Sequence, residues 1–283
     1  MAKRRQWTTG RRSPAVVLAI GGSDSSAGAG VQADLKTFAA LGVYGLTAIT
    51  CIVAETPGKV LRIQPADPNI VREQIELLLS NFPVAAVKTG LLCNAQIAST
   101  VAKTLRDGRR KSRADTLVID PVMIATSGDA LLEQGAIKIY EREIFPIATL
   151  ITPNLDEAAR LLGDPIRNLP QMRRAVTALT QKYGVAVLLK GGHLSGSRAV
   201  DVLHDRIRIR EFSARFIRPV TTHGTGCTYS AAITSVLAKG GELTGAIKIG
   251  KRFVSQAIRR HFFWQRDRDK IFALNQSLNS SRD

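Results

Sequence analysis

The sequence predicts one doubly wound α/β domain, in which helices cover both faces of a mostly parallel sheet. Apolar runs of strand length alternate with helical patterns along almost the whole 283-residue chain. Most of the strand-like runs are apolar at nearly every position, as expected for strands that are buried on both faces. No linker, low-complexity segment or repeat of fixed period interrupts the alternation, so it indicates a single domain.

The predicted strands and helices follow one another in the order of a βα fold. The run "AVVLAI" over 15–20 is a strand because it is short, apolar throughout and followed by a Gly/Ser loop. Apolar residues at helical spacing predict helices, as in "NIVREQIELLLSNF" over 69–82. The other predicted strands cover 45–55, 84–92, 116–123, 148–153 and 185–192, with a hairpin over 199–218. The other predicted helices cover 31–42, 94–107, 136–146, 154–163, 171–184, 227–239 and roughly 242–262.

The ends of the chain are polar. Residues 1–12 carry five basic and no acidic residues. We therefore expect a basic flexible tail over 1–13, one domain over 14–265 and a polar C-terminal tail over 266–283. An arginine-rich transit peptide is an alternative interpretation of the first segment.

Composition narrows the classes of function. The net charge is +17, which we interpret as a solvated basic surface, because no nucleic-acid motif accompanies it. No apolar run reaches the roughly 18 residues of a membrane span, so we expect neither a membrane nor a specific nucleic-acid partner. The three cysteines include no CxxC pair, which favours a reducing cytoplasm.

Ligands of doubly wound folds bind beyond the carboxyl ends of the strands. In this chain those positions are rich in glycine and polar residues. They are Gly21–Asp24, Glu55, Lys88–Gly90, Asp120–Pro121, Thr152–Asn154, Lys190–His193 and Gly224–Cys227. We place the candidate site on this rim.

The first motif on the rim is "GGSDSSAGAGVQADLK". Its glycines let backbone approach a small ligand, and Asp24 can bind a hydroxyl or an amine. The segment over 28–33 also matches the dinucleotide pattern GxGxxA, with Glu55 ending the next strand. That match is weak, because the first glycine should close the strand and here lies well beyond it. A purely structural loop is the third interpretation.

The second motif is "TPNLDEAARLLG". Asn154 and Glu157 have the spacing of a helix capping box, which is a structural role. The same pair can serve a magnesium ion, with Glu157 acting through water and Asn154 near phosphates. The motif alone leaves both roles open.

The last two motifs are "LLKGGH" and "THGTGCTYS". Lys190 can face nucleotide phosphates, whereas His193 is better explained as a local hydrogen-bond partner than as a base. Gly224–Cys227 bring backbone N–H groups to a helix N-terminus, which is a site for anionic oxygen. Those N–H groups can also lower the pKa of the Cys227 thiol. A glycine turn with a structural thiol is the alternative.

Together these motifs resemble hydroxymethylpyrimidine/phosphomethylpyrimidine kinases of thiamine biosynthesis, which are ribokinase-like kinases. The resemblance rests on "AIGGSDSSAGAGVQADLKTFAALGVYGLTAIT", "VIDPVMIATSGDALL", "LITPNLDEAARLL", "LLKGGH" and "THGTGCTYSAAI", and it spans about residues 15–260. It implies a three-layer α/β/α fold, ATP with Mg²⁺, and a homodimer. It also implies two successive phosphorylations, of 4-amino-5-hydroxymethyl-2-methylpyrimidine and of its monophosphate.

The resemblance assigns expected roles to residues of the rim. The catalytic anion hole is implied for Gly224, Thr225, Gly226 and Cys227, with Lys190 at the nucleotide phosphates. Nucleotide contacts are implied for Asn154, Lys190, Thr225 and Gly226, and the metal for Glu157 and Asp120. The pyrimidine pocket is implied for Gly22, Asp24, Ala29, Val53, Glu55 and Val122.

Two positions depart from the family pattern. The family usually has "VAQN" after the second strand, and this chain has "VAET", so Glu55 replaces a glutamine that contacts the aminopyrimidine. An ionised carboxylate only accepts hydrogen bonds, whereas an amide also donates. Burial can raise the pKa of Glu55 enough to restore a donor. The second departure is Thr126, where the family often has lysine.

We therefore expect a kinase of a small hydroxymethyl heterocycle. A pyridoxal or pyridoxine kinase of the same fold is the alternative substrate class. A nucleotide-binding regulatory protein without catalysis and a dinucleotide oxidoreductase are the alternatives of other classes.

Overall fold

The computed structural model describes residues 13–109, 114–123, 134–192, 194, 197–217, 223–267 and 269–277. The predictions for residues 1–12, Thr126 and His193 lie outside these residues. The strands are β1 (Val16–Asp24), β2 (Tyr44–Thr56), β3 (Lys59–Pro65), β4 (Val84–Thr89), β5 (Thr116–Ile119), β6 (Leu150–Ile151), β7 (Ala186–Leu189), β8 (Arg198–His204), β9 (Ile209–Arg215), β10 (Phe262–Arg266) and β11 (Asp269–Ala273). The helices are α1 (Gly30–Ala40), α2 (Pro68–Asn81), α3 (Ala95–Arg109), α4 (Gln134–Ile139), α5 (Leu155–Leu162), α6 (Leu169–Tyr183), α7 (Thr225–Ala238) and α8 (Leu243–Arg259).

Nine of the described strands form one sheet in the order β3-β2-β1-β4-β5-β6-β7-β8-β9. The six from β2 to β7 in that order are parallel, and β3, β8 and β9 are antiparallel to their neighbours. Strand β1 lies between β2 and β4, so the connections run in opposite directions from it. Such a switch point opens a crevice at the carboxyl ends of the strands.

Helices cover both faces of the sheet. Helix α7 contacts both α1 and α8 on one face, while α2 contacts α3, and α5 contacts α6, on the other. Strand β1 shows why both faces are buried: Val17 and Ala19 pack with Phe38 of α1, and Leu18 and Ile20 belong to the larger core on the opposite face. The predicted three-layer α/β/α fold with a mostly parallel sheet is confirmed.

The main differences from the predictions are an added strand and the C-terminal part of the domain. Strand β3 was not predicted. Phe262–Arg266 and Asp269–Ala273 pair as the hairpin β10–β11, and the predicted helix ends at Arg259 instead of near 262. The segment that follows is not a free tail, because Leu274 and Gln276 are buried. The predicted boundary at 265 is therefore wrong, and the domain includes residues up to 277.

Candidate active site

One cavity of about 590 Å³ lies beyond the carboxyl ends of the parallel strands. Its lining includes every residue to which the family resemblance assigned a role. These residues are Gly22, Asp24, Ala29, Val53, Glu55, Asp120, Val122, Asn154, Glu157, Lys190, Gly224, Thr225, Gly226 and Cys227. The fold therefore brings residues from opposite ends of the chain to one place.

The N-terminus of α7 forms the middle of the cavity. Helix α7 begins at Thr225, and Gly224 precedes it with φ +81°, where a Cβ would lie 1.9 Å from the carbonyl oxygen of Gly28. Only glycine fits there. A Cβ on Gly226 would lie 3.1 Å from Lys190 Nζ. The first N–H groups of a helix lack intrahelical partners, so this turn can offer N–H donors to an anion beside the Lys190 ammonium.

The thiol of Cys227 sits at this turn as an uncharged group. Burial raises the pKa of the Cys227 thiol to about 11, against the opposing effects of Lys88 and of the Gly30 N–H, which donates to the sulfur. The carboxylates of Asp34 and Asp120 add to the rise. An N–H group does lower this pKa, but burial outweighs it and the net shift is upward.

Lys88 and Asp34 form a buried ion pair that the sequence did not predict. Lys88 Nζ, at the end of β4, donates to both carboxylate oxygens of Asp34 in α1, at 2.7 and 2.8 Å, and both side chains are 1% exposed. Burial alone would lower the pKa of Lys88, but Asp34 and Cys227 raise it above its usual value. Lys88 therefore stays charged beside the α7 turn. Its signal in the sequence was a lysine within the apolar strand "VAAVKT".

Asp120, just beyond β5, fixes the position of Lys190. Lys190 Nζ donates to Asp120 Oδ1 at 2.7 Å, Thr152 donates to the same oxygen at 3.2 Å, and Ser230 of α7 donates to Oδ2 at 3.2 Å. Burial would raise the pKa of Asp120, but Lys190 and Lys88 bring it below its usual range. An ionised carboxylate thus links β5, the end of β7 and α7.

Asn154 and Glu157 form the predicted capping box of α5. Asn154 Oδ1 accepts the Glu157 N–H, and Glu157 Oε2 accepts the Asn154 N–H, both at 2.8 Å. Glu157 is buried, and burial raises its pKa to about 7, with Asp120 adding to the rise and Lys190 opposing it. Both residues also line the cavity. The structural role is therefore present, and the position suits a second role toward a ligand.

Another part of the cavity holds a cluster of three ionisable groups, Asp24, Glu55 and His223. One ligand-type atom from each lies within 4.8 Å of the others. His223 Nε2 is 3.0 Å from Asp24 Oδ2 and 3.7 Å from Glu55 Oε2. His223 was not among the predicted site residues, although it lies in the quoted "THGTGCTYS" motif.

The two carboxyls of this cluster have different pKa values because their surroundings differ. Asp24 also accepts the N–H groups of Ser26 and Ala29, both at 2.7 Å. Burial would raise its pKa, but His223 and these N–H groups lower it to about 2. For Glu55, burial and the Asp24 charge raise the pKa to about 7, against the opposing effect of His223. Asp24 therefore holds its own loop, and Glu55 is the carboxyl that changes charge near neutral pH.

A third part of the cavity is lined by residues that the sequence analysis did not predict. Its walls are mainly apolar and come from the end of β9 and from α8. They include Ala214, Phe216, Ile217, Val254 and Ile258. Asp201 of β8 accepts the Gly191 N–H at 3.1 Å and pairs with Lys251 of α8 at 2.6 Å, which ties these walls to the loop after Lys190.

Comparison with known protein families matches residues 24–270 to Phosphomethylpyrimidine kinase. The chain belongs to the phosphomethylpyrimidine kinase family. The hydroxymethylpyrimidine/phosphomethylpyrimidine kinase of Rhizobium meliloti (strain 1021) is 43% identical to it over 245 residues, 86% of this chain and 90% of that protein. The pyridoxine kinase of Bacillus subtilis (strain 168) is 40% identical over 251 residues, 87% of this chain and 90% of that protein.

Solved structures of similar proteins confirm the fold of this family member. A phosphomethylpyrimidine kinase from Clostridium difficile 630 has a TM-score of 0.75 at 38% identity, covering 86% of this chain and 99% of that one. The ADP complex of Bacillus subtilis pyridoxal kinase has a TM-score of 0.82 at 36% identity, covering 93% and 98%.

Some relatives of this phosphomethylpyrimidine kinase family member are much longer than it is. The chain spans about half of the first two, 51% of the bifunctional protein ThiED of Geobacter sulfurreducens and 48% of a putative kinase of Schizosaccharomyces pombe. Across the described part of the chain, every helix is too short or too polar to cross a membrane.

Proposed function

We propose that this protein transfers the γ-phosphoryl group of ATP to 4-amino-5-hydroxymethyl-2-methylpyrimidine and then to its monophosphate, in thiamine biosynthesis. The observation that carries the proposal is a single cavity with three chemically different parts. An ionisable cluster suits a small heterocycle, the α7 N-terminus suits a phosphoryl group, and apolar walls suit a purine base. Membership of the phosphomethylpyrimidine kinase family supports this assignment.

In the proposed reaction the substrate hydroxyl attacks the γ-phosphorus in line with the leaving oxygen. The negative charge of the transition state spreads over the phosphoryl oxygens, so fixed donors aimed at them supply most of the catalysis. The backbone N–H groups of Thr225, Gly226 and Cys227 and the Lys190 ammonium are those donors. Asp120 holds Lys190 Nζ at 2.7 Å, so the ammonium is in place before ATP binds.

The carboxyl groups near Lys190 also fit a magnesium ion. Asp120 and Glu157 are buried carboxyls that line the cavity, and carboxylate oxygen is a ligand that Mg²⁺ takes. The pKa of Glu157, about 7, leaves it able to ionise when a cation binds. We propose that these two residues hold the ion, Glu157 through water, and that Asn154 lies near the phosphates. Bound Mg²⁺ supplies charge neutralisation at the phosphate oxygens.

We assign Cys227 a positioning role. With a pKa of about 11 its thiol is protonated near neutral pH and is a poor base. A loose phosphoryl-transfer transition state makes little demand on a base, because the hydroxyl proton is lost late. The thiol and Lys88 next to it then shape the floor of the phosphoryl site.

Glu55 is the proposed contact for the aminopyrimidine ring. A protonated carboxyl both donates and accepts, as the family's glutamine does, and the pKa of about 7 provides that form near neutral pH. His223 Nε2 lies 3.7 Å from Glu55 Oε2 on the same carboxyl. Ala29 and Val53 are the proposed apolar contacts beside it.

The test of this contact is the pH dependence of KM for the pyrimidine. The protonated fraction of Glu55 falls as pH rises through about 7, so KM should rise between pH 6 and pH 8. Glu55→Gln should be active with a flat profile, and Glu55→Ala should raise KM. Glu76→Gln, on the exposed face of α2, is the matched control. An unchanged KM in Glu55→Ala would remove Glu55 from the pocket.

A pyridoxal or pyridoxine kinase is the second candidate, because two of the similar proteins are named for those substrates. Phosphorylation by the wild-type protein should be measured on the pyrimidine, its monophosphate, pyridoxal and pyridoxine at equal concentrations. The pyrimidine should have the highest kcat/KM. Turnover of pyridoxal alone would favour the second candidate, and ATP binding with no turnover of any of the four would favour a non-catalytic role.

We further propose a cytoplasmic homodimer. The three cysteines, all of them among the described residues, form no disulfide, which fits a reducing compartment. Sedimentation velocity should give twice the 30.6 kDa mass of one chain.

A further inference from the structure

The segment 273–277 returns from the β10–β11 hairpin to the part of the cavity that holds the cluster of Asp24, Glu55 and His223. Ala273 forms a parallel β-bridge with His223. The Asn275 N–H donates to the carbonyl oxygen of Ala257 in α8 at 3.2 Å, and Leu274 is 3% exposed. The segment is therefore packed against the walls of the site.

Gln276 is the polar side chain that this segment buries. It is 1% exposed, while the next residue, Ser277, is exposed. Its Nε2 donates to the carbonyl oxygen of Gly28 at 3.3 Å and to Thr228 Oγ1 at 3.1 Å. A buried amide is costly unless it is hydrogen-bonded, so both partners are needed for Gln276 to lie there.

The two partners belong to different parts of the site. Gly28 precedes Ala29, whose N–H donates to Asp24, and a Cβ on Gly28 would lie 2.9 Å from the His223 ring. Thr228 is in the first turn of α7. The Gly28 peptide is also in close contact with Gly224. Gln276 thus ties the loop of the ionisable cluster to the helix that we assign to the phosphoryl group.

We infer that Gln276 is a positioning residue, which fixes the Gly28–Ala29 peptide against α7 and so sets the shape of the heterocycle pocket. The inference rests on the proposed kinase function only for the identity of the bound heterocycle. Helix α7 is held by a long row of buried residues, whereas the loop over 24–29 is held by a few hydrogen bonds. The loss of Gln276 should therefore disturb the heterocycle more than ATP.

The experiment compares Gln276→Met and Gln276→Ala with Ser277→Ala. Methionine keeps the volume of the side chain and removes the donor. We expect KM for the heterocycle to rise about tenfold in both Gln276 variants, as the loss of a buried hydrogen bond predicts, with KM for ATP within about twofold of wild type. Amide hydrogen exchange of residues 24–30 should rise in the same variants. Ser277→Ala should match wild type in every measurement.

Two results would overturn the inference. One is a Gln276→Met protein with wild-type KM values and wild-type exchange over 24–30. The other is an equal rise of both KM values, which would indicate a general structural bond. If the wild-type protein phosphorylates neither pyrimidine nor pyridoxal, the proposed function fails, and the exchange of residues 24–30 still decides the role of Gln276. If Gln276→Ala does not fold, Gln276→Met gives the answer.

Discussion

Removing the charge of Lys88 should destabilise the protein by an amount that depends on pH. Both side chains of the Lys88–Asp34 pair are 1% exposed, and Lys88 Nζ donates to both oxygens. Lys88→Met leaves Asp34 buried without its partner. Removing one member of a buried pair costs about 3–5 kcal/mol.

The protonation of Asp34 sets an upper limit on this cost. Burial already raises the pKa of Asp34, and the loss of Lys88 raises it further, so the variant folds with a neutral carboxyl. Keeping that carboxyl neutral at pH 7, against an unfolded pKa of about 4, costs about 4 kcal/mol. The folded state then binds more protons than the unfolded state, so stability falls as pH rises. At pH 5 the same cost is only about 1.5 kcal/mol.

The assay is urea unfolding of wild type, Lys88→Met and Lys88→Met/Asp34→Leu at pH 5 and pH 7. The single variant should lose more stability at pH 7, and the double variant should regain most of the loss because no unpaired charge remains. Both variants should lose at least about tenfold in kcat, since Lys88 also supplies charge beside the α7 turn. A loss below about 1 kcal/mol at pH 7, or an equal loss at both pH values, would refute the reasoning.

Three further predictions concern the phosphoryl site. Gly226→Ala should cut kcat by at least about tenfold, because the new Cβ would lie 3.1 Å from Lys190 Nζ. The control is Gly245→Ala in α8, where the new Cβ meets open space. This control should raise the free energy of unfolding by about 0.5–1 kcal/mol. Glu157→Gln keeps an oxygen for the helix cap, so stability should stay within about 1 kcal/mol while kcat/KM falls, and unchanged kinetics would leave Glu157 only its capping role. Cys227→Ser should show the same dependence of kcat on pH as wild type between pH 7 and pH 9. If the wild-type kcat rises tenfold per pH unit while the kcat of the variant stays flat, the thiolate is the base.

Most of the parallel strands could be predicted because they are apolar runs buried on both faces. Their ends were less certain, as β4 shows. The predicted strand continues to 92, but β4 ends at Thr89. The prediction ran too far because Leu91 and Leu92 are buried without belonging to a strand. Hydrophobicity reports burial, and it does not separate a strand from a buried loop.

Strand β3 could not be predicted from hydrophobicity because it is an edge strand. Most of its side chains are exposed, and Leu61 is 75% exposed, so it lacks an apolar run. The available signal was the Pro57–Gly58 turn, at which Gly58 has φ +91°.

Partners far apart in the chain were invisible for a different reason. Lys88 and Asp34 are 54 residues apart, and Gln276 and Gly28 are 248 apart. Nothing local in the sequence specifies either contact. Several of the site residues that were found lie at or just beyond a strand end, where the fold class fixes their position, whereas Gly224–Cys227 were found as a glycine turn before a helix.

The arrangement of charges explains why a thiol is suited to position 227. Lys88 is matched by Asp34, and Lys190 by Asp120, so the two cations are already neutralised by buried carboxylates. A carboxylate in place of the Cys227 thiol would add a negative charge at the proposed phosphoryl site. The thiol, held uncharged by its raised pKa, adds none. In the proposed reaction the α7 N–H groups therefore add to the local attraction of Lys88 and Lys190 for the phosphoryl group, with no opposing charge at position 227.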